Sequence, residues 1–246
     1  MHDYARRVFL RRLSADNAAS LGESPLWPTA AVVTSAALYA DLPARFIAGS
    51  SAGAFAVARW IVPILTALLL VALLASLPGS QLVRRLGWHP QRVHVTRRWL
   101  SLTLIAIVSV ANAASIALLV HLLIGGAHAN APTLLRAAIH LWTVNVLLFA
   151  LWFWQLDGRG PAARLTCAPA ERDFLFPQQA DPSFAAADWR PMFLDYLYVS
   201  FTNATAFSPT DTMPLSRWAK MLMLVQSAVS LALAVMVVAR AVNILR

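Results

Sequence analysis

Charged residues and cysteine are scarce in this chain. Asp, Glu, Lys and Arg make up 13% of its 246 residues, roughly half the share that is usual in soluble domains. Cys167 stands alone, so no disulfide can form within the chain. Lysine occurs once, at Lys220, and the other basic residues are arginines in an Ala-rich background. That bias indicates a GC-rich bacterial genome.

Motifs of common enzyme classes are missing as well. The sequence contains no Gly-rich phosphate loop, no zinc-ligand spacing and no nucleophile elbow. His89 and His94 have no acid or thiol beside them, whereas a metal site needs three or four converging ligands. Asp195 and Asp211 would lie roughly 20 Å apart along a helix, too far to share a proton. We therefore expect no enzymatic activity, no metal and no cofactor.

Long apolar segments are what the chain does contain. Hydrophobic residues make up 59% of it, and the mean hydropathy is +0.62. Each run approaches the roughly 20 residues that an α-helix needs to cross a bilayer. The pattern predicts an all-α, polytopic membrane helix bundle with spans at Leu26–Leu42, Trp60–Leu77, Trp99–Ile124, Leu134–Leu156 and Met221–Leu245.

The distribution of basic residues predicts an orientation. The net charge of +9 lies in short connections rather than on one helix face, so the lipid bilayer is an expected partner and nucleic acid is not. If the first four spans cross alternately, thirteen Lys and Arg lie on one side and three on the other. The positive-inside tendency makes the richer side cytoplasmic. The first 25 residues hold four Arg and no apolar core, so we expect no signal peptide and a cytoplasmic N-terminus at a bacterial inner membrane.

Polarity divides the chain into four regions. The one long polar connection follows the fourth span, and its acids are interpreted as a solvated face: Asp157, Glu171, Asp173, Asp181 and Asp188. The regions are a cytoplasmic N-terminal segment at 1–25, a four-helix transmembrane region at 26–156, a cytoplasmic loop at 157–191 and a helical hairpin at 192–246.

One face of the third span carries small polar residues. Ser101, Ser109, Asn112 and Ser115 share about a third of the helix circumference. Small and hydrogen-bonding side chains commonly mediate helix packing in membranes. We therefore interpret this face as a packing surface rather than a solute pathway.

The hairpin has a polar tip between two hydrophobic helices. The stretch PMFLDYLYVSFTNATAFSP, which ends at Pro209, is apolar enough to enter the membrane. Pro209 ends the first helix near Phe207, and a second helix begins near Pro214 or Ser216. Non-helical backbone at membrane depth is tolerated only where protein buries it or water reaches it. The tip, residues 208–214, is therefore a candidate pore or binding site.

Residues 191–207 either cross the membrane or re-enter the side from which they came. A full crossing returns the last two Arg to the cytoplasm, which gives fifteen basic residues inside and five outside. On that ground we expect the full crossing, and hence about six transmembrane helices with both termini inside.

The same residues resemble the pore region of tetrameric potassium channels. In that family a short pore helix ends in Thr-x-Thr-Thr-Val-Gly-Tyr-Gly-Asp, and Pro, Trp and a basic residue follow at the second helix. Here Ala204–Asp211 aligns with the filter without gaps, and Pro214, Trp218 and Lys220 match in spacing and type. The resemblance covers about 50 residues, Asp195–Leu245. It implies a homo-oligomeric cation channel with a pore loop.

The filter positions differ from that family. Ser208 and Thr210 replace the two Gly, and Pro209 replaces the Tyr. Because a carbonyl-lined filter uses backbone geometry that favours Gly, we do not expect potassium selectivity. The stretch is also similar to an uncharacterised family of bacterial multi-pass membrane proteins, through Ser200-Phe201-Thr202 and Asp211-Thr212. That similarity implies no known activity.

Two functional hypotheses follow. In the first, the protein is a homo-oligomeric, pore-loop ion pathway for a monovalent or divalent cation. Its pathway residues are the lining residues Thr202, Asn203 and Thr205, the constriction Ser208, Pro209 and Thr210, and the cation-attracting Asp211. In the second, the protein is a non-channel membrane protein in which these residues hold the bundle together and Asp211 caps the last helix.

Overall fold

The computed structural model describes most of the apolar segments and part of their connections. The described residues are 25–42, 60, 63–68, 70–72, 90–124, 131–164, 171–181, 183, 185–186, 189–206 and 211–244. Their helices are α1 Leu26–Ala40, α2 Pro90–Ile124, α3 Ala131–Leu156, α4 Pro161–Arg164, α5 Pro177–Ala180, α6 Phe193–Ala206 and α7 Arg217–Ile244. A 3-10 turn spans Asp157–Arg159, and two short strands are β1 Phe174–Leu175 and β2 Met213–Pro214.

Three of the described helices are long and apolar enough to cross a membrane, at Val95–His121, Pro132–Arg159 and Arg217–Val237. Two shorter apolar helices, Leu26–Ala40 and Pro63–Ala72, coincide with two further predicted spans. The predicted helical class is confirmed, and the helices are compatible with a membrane-embedded protein. Six spans are not confirmed. In particular, the described part of α6 has 14 residues and extends about 21 Å, less than the roughly 30 Å of a hydrocarbon core.

The central helix is α3, which packs against α1, α2, α6 and α7. Near its start, Leu141 is buried together with Tyr39 and Leu119, from the last turns of α1 and α2. Further along, α3 packs on earlier residues of the same two helices, Val32 and Leu104. Both α1 and α2 therefore run antiparallel to α3.

Helices α6 and α7 also run antiparallel to α3, and hence roughly parallel to each other. Met223, early in α7, shares a buried cluster with Phe153, near the end of α3. Leu233, later in α7, lies with the first half of α3. In α6, Phe201 stacks edge-on against Trp142, with ring centroids 5.8 Å apart. The two helices therefore do not form an antiparallel hairpin.

The strands explain this parallel arrangement. They pair antiparallel, with Phe174 opposite Pro214 and Leu175 opposite Met213. The Leu215 backbone N–H also donates to the Asp173 carbonyl at 2.8 Å. Because β1 precedes α6 and β2 follows it, the chain is at the same end of the bundle before α6 and again at Met213, and we call this end the ladder end. This return does not fit the expected full crossing of residues 191–207.

Local chemistry sets where α6 and α7 begin. The Asp195 carboxylate accepts a hydrogen bond from the Met192 backbone N–H at 2.7 Å, which satisfies a donor left free at a helix start. Ser216 Oγ accepts from the Ala219 N–H at 3.1 Å and so caps α7, at a predicted position. The expectation that Asp211 caps this helix is wrong, because Ser216 supplies the cap and Asp211 is exposed.

A disulfide between the strands tests the re-entrant path. Leu175→Cys and Met213→Cys, combined with Cys167→Ser, should cross-link on mild oxidation. Paired strand residues have Cα atoms about 4.5–5.5 Å apart, within the range that a disulfide bridges. Mass spectrometry of the linked peptides measures the product.

The control pair combines Leu175→Cys with Arg136→Cys, since Arg136 is exposed near the start of α3, at the opposite end of the bundle. It should remain unlinked. Absence of the Leu175–Met213 cross-link under conditions that oxidise exposed thiols would rule out the ladder.

Candidate functional site

A buried carboxylate, that of Asp157, lies where α3 ends at the ladder end. The residue is 0% exposed. Its Oδ2 accepts a hydrogen bond from the Tyr196 hydroxyl and lies 3.7 Å from Arg164 Nη1. Its Oδ1 accepts from the backbone N–H groups of Asp173, at 2.8 Å, and Phe174, at 3.3 Å. We call this group the Asp157 anchor.

The guanidinium of Arg164 completes the anchor. Its Nη1 donates to the Trp154 carbonyl at 3.0 Å, and its Cζ lies 4.8 Å from the centroid of the Tyr196 ring, within cation–π range. A buried charge is costly unless it is paired and hydrogen-bonded, and here both charges have partners. The anchor thus joins the end of α3, helix α4, strand β1 and the first turn of α6.

The interpretation of Asp157 as part of a solvated face is wrong. Glu171 and Asp181 are exposed as predicted, and Asp188 lies outside the described residues. Burial of Asp157 depends on Tyr196, 39 positions later in the chain. No local sequence signal reports a partner that far away.

Replacement of Asp157 should destabilise the ladder end strongly. Asp157→Asn removes the carboxylate charge that lies 3.7 Å from the Arg164 guanidinium, which is itself 6% exposed, and breaking a buried ion pair costs about 3 kcal/mol or more. The free energy of unfolding in mild detergent measures the loss.

Two further variants test whether the loss of stability comes from the Asp157–Arg164 ion pair or from the removal of any negative charge. Arg164→Met should cost less in the Asp157→Asn background than in the wild type, because the two charges are coupled. Asp173→Asn serves as the matched control, since only the backbone of Asp173 enters the anchor. Equal losses for Asp157→Asn and Asp173→Asn would contradict the assignment.

A second polar cluster joins α6 to α7 away from the ladder end. Gln226 is 0% exposed. Its Nε2 donates to the Ser200 carbonyl at 2.9 Å and to Ser200 Oγ at 2.7 Å, while its Oε1 accepts from Asn203 Nδ2 at 2.9 Å. Ser227 Oγ donates to the Asn203 carbonyl and Oδ1, both at 3.2 Å. We call these four residues the polar seam.

The seam also reaches α3. Ser200 Oγ donates to the Val146 carbonyl at 2.7 Å, and Asn203 Nδ2 to the Met223 carbonyl at 3.0 Å. Between α3 and α7, Asn145 Nδ2 donates to Ser230 Oγ at 3.4 Å. Polar groups without access to water must find partners within the protein. The seam satisfies them and fixes α6 against both neighbours.

The predicted pathway residues do not share one environment. Asn203 is 4% exposed and belongs to the seam. Thr202 is half-buried and Thr205 is exposed. Their hydroxyls bond within α6, to the Tyr198 carbonyl at 2.7 Å and the Phe201 carbonyl at 2.9 Å respectively.

The remaining predicted pathway residues lie at or beyond the end of the described part of α6. Ser208, Pro209 and Thr210, the predicted constriction, lie outside the described residues. Asp211 is exposed at the ladder end. Its neighbour Thr212 is 3% exposed.

Sequence reasoning missed Gln226, Ser227 and Ser230. Their signal was present, because polar side chains within an apolar span rarely face lipid and positions 226, 227 and 230 share one face of a helix. The polar face of the last span therefore predicts a contact with another helix.

Removal of the Gln226 amide should loosen α6 from α7. Gln226→Leu keeps the side-chain size but loses its hydrogen bonds, and interhelical hydrogen bonds in membranes contribute about 0.6 kcal/mol on average. We expect a loss of about 1–2 kcal/mol in the free energy of unfolding in detergent.

Thr205→Val is the matched control for that measurement, because the Thr205 hydroxyl bonds only within its own helix among the described residues. It should change stability by less than about 0.5 kcal/mol. A Gln226→Leu protein as stable as the Thr205→Val protein would show that the seam contributes nothing to stability.

The small polar face of α2 is a packing surface, as predicted. Trp152 Nε1 donates to Ser109 Oγ at 3.0 Å, Ser115 hydrogen-bonds Tyr39, and Asn112 is buried. Among the described residues no three His, Cys, Asp or Glu side chains converge to hold a metal ion.

Comparisons of the chain with protein-family models, with curated proteins and with solved structures found no match.

Proposed function

We propose that the protein is an integral membrane protein in which α3, α6 and α7 form the ion-pathway unit of a homo-oligomeric, pore-loop cation channel. The observation that carries the proposal is that the chain lies at the ladder end before α6 and again at β2, which supports a re-entrant course for α6. The described residues of α6, Phe193–Ala206, span about 21 Å, and its first turn shares a buried cluster with the start of α7.

The depth of α6 follows from its contact with α3. Phe201 packs on Trp142, which lies 14 residues before Leu156, or about 21 Å along α3. The C-terminal turn of α6 therefore lies well inside the length of a membrane-spanning helix. Half-helix C-termini at that depth carry partial negative charge from unpaired carbonyls and are used to bind cations.

The outward face of α6 supplies the polar lining. Thr202 and Thr205 point away from the seam that holds Asn203. In a single chain this face would meet lipid, whereas in a homo-oligomer it can face a shared axis. Asn203 then positions α6 instead of lining the route, while Thr202, Thr205 and Asp211 remain lining or entrance residues.

The resemblance to potassium-channel pores supports the same unit. A membrane helix, a short re-entrant helix and a second membrane helix are what that resemblance implies for α3, α6 and α7. The excess of basic residues before α1, before α2 and before α6 supports a cytoplasmic ladder end. The loop of this proposed pathway therefore enters from the cytoplasmic side, the reverse of the arrangement in that family.

Cation flux into reconstituted vesicles tests the proposal. Asp211→Asn should lower the flux about fivefold, since a unit charge beside an ion in water contributes on the order of 1 kcal/mol. The double variant Thr202→Val and Thr205→Val should also change flux while the protein stays folded, because neither hydroxyl holds α6 to another described element.

Glu171→Gln is the control, because it removes an exposed acid from the polar segment before α6 and should leave the flux unchanged. Absence of flux for Na⁺, K⁺ and Ca²⁺ through the wild-type protein, at any lipid composition in which it is folded, would end the channel proposal.

A second candidate is a non-channel membrane protein in which the re-entrant element is purely structural. The polar seam favours it, because the amides of Asn203 and Gln226 are bonded within the protein. This candidate predicts a folded protein without flux, in which Gln226→Leu lowers stability and Asp211→Asn does not.

A further inference from the structure

We propose that the first two turns of α7 bind an anionic phospholipid, with Arg217 and Lys220 on the headgroup phosphate and the apolar residues that follow on the acyl chains. The inference concerns a lipid site and does not depend on ion conduction.

The charge of this surface is positive. Arg217 and Lys220 are both exposed, and neither forms an ion pair with a described acid. The first turn of α7 contains no acidic residue. The preceding acid, Asp211, is exposed six positions before Arg217. Two cations three residues apart lie on one side of a helix, so one phosphate can contact both.

The apolar side chains of α7 continue directly from these cations. Trp218 is 77% exposed, and Met221, Leu224 and Val225 are between 52% and 60% exposed. An indole favours the headgroup region because its ring is apolar and its N–H is polar. The order along the helix is therefore cation, indole, aliphatic chain, which matches the order of phosphate, glycerol region and acyl chain in a lipid.

Two other helices, α1 and α2, carry exposed tryptophans at a similar level of the bundle, as expected near a membrane surface. Trp27 begins α1 at the ladder end and is 55% exposed. Trp99, near the start of α2, is 66% exposed and follows the exposed Arg98. Because α1, α2 and α7 all start at the ladder end, these indoles mark one interface. The partner of Arg217 and Lys220 there is a lipid headgroup, and anionic headgroups offer charge that zwitterionic ones do not.

Native mass spectrometry of the full chain in mild detergent tests the proposal by titration with phosphatidylglycerol or with phosphatidylcholine of the same acyl chains. We expect phosphatidylglycerol to bind more tightly. Arg217→Ala and Lys220→Ala should each weaken its binding about fivefold, and together about 25-fold, as expected for cations beside an anionic lipid. Arg217→Lys should retain most of the affinity.

Arg136→Ala is the matched control, since it removes an exposed Arg from the opposite end of the bundle, and it should leave phosphatidylglycerol binding unchanged. Inorganic phosphate at the same concentrations should not compete with the lipid, because it lacks acyl chains. Equal affinity for the two lipids, an equal effect of Arg136→Ala, competition by phosphate, or a change of oligomeric state in Arg217→Ala would each overturn the assignment.

Discussion

The Asp157 carboxylate determines how the rest of the C-terminal half is arranged. It receives hydrogen bonds from Tyr196 and from the backbone at Asp173 and Phe174, and it lies beside Arg164. These contacts place β1 against the first turn of α6 at the end of α3. Since β2 pairs with β1, the start of α7 is held at the same place. The return of the chain to the ladder end after α6 and the parallel course of α7 both follow.

The polar seam supplies hydrogen-bond partners for the buried polar groups of α6 and α7. The buried polar side chains of α6 and α7 are shielded from bulk solvent and must find partners within the protein. Gln226 meets this requirement for Ser200 and Asn203 together. Thr202 and Thr205 meet it within their own helix. A polar residue in a membrane helix is thus not by itself a sign of an ion pathway, because polar side chains also form the hydrogen bonds that hold two helices together. Substitution of Thr202, Thr205 and the exposed Asp211 therefore distinguishes the cation channel from the non-channel membrane protein.

Charge counting illustrates what sequence reasoning could and could not decide. A re-entrant path would assign Arg217 and Lys220 to the cytoplasmic side and the last two Arg to the other side. The totals are then fifteen and five, the same as for the full crossing. The positive-inside tendency therefore cannot separate the two paths. The strand pairing bears on the choice, because β2 lies beside β1 at the ladder end.

The sequence by itself determined that the chain is rich in membrane-length apolar helices and where several of them begin and end. The cap of α7 at Ser216 follows from nearby residues, since hydropathy, proline and capping act over a few positions. The tertiary structure alone decided that Asp157 is buried, that Asn203 faces α7 and that residues 213–214 return to residues 174–175. Each of these depends on groups distant in the chain, and a two-residue ladder or a single buried carboxylate has no local pattern from which it could be read.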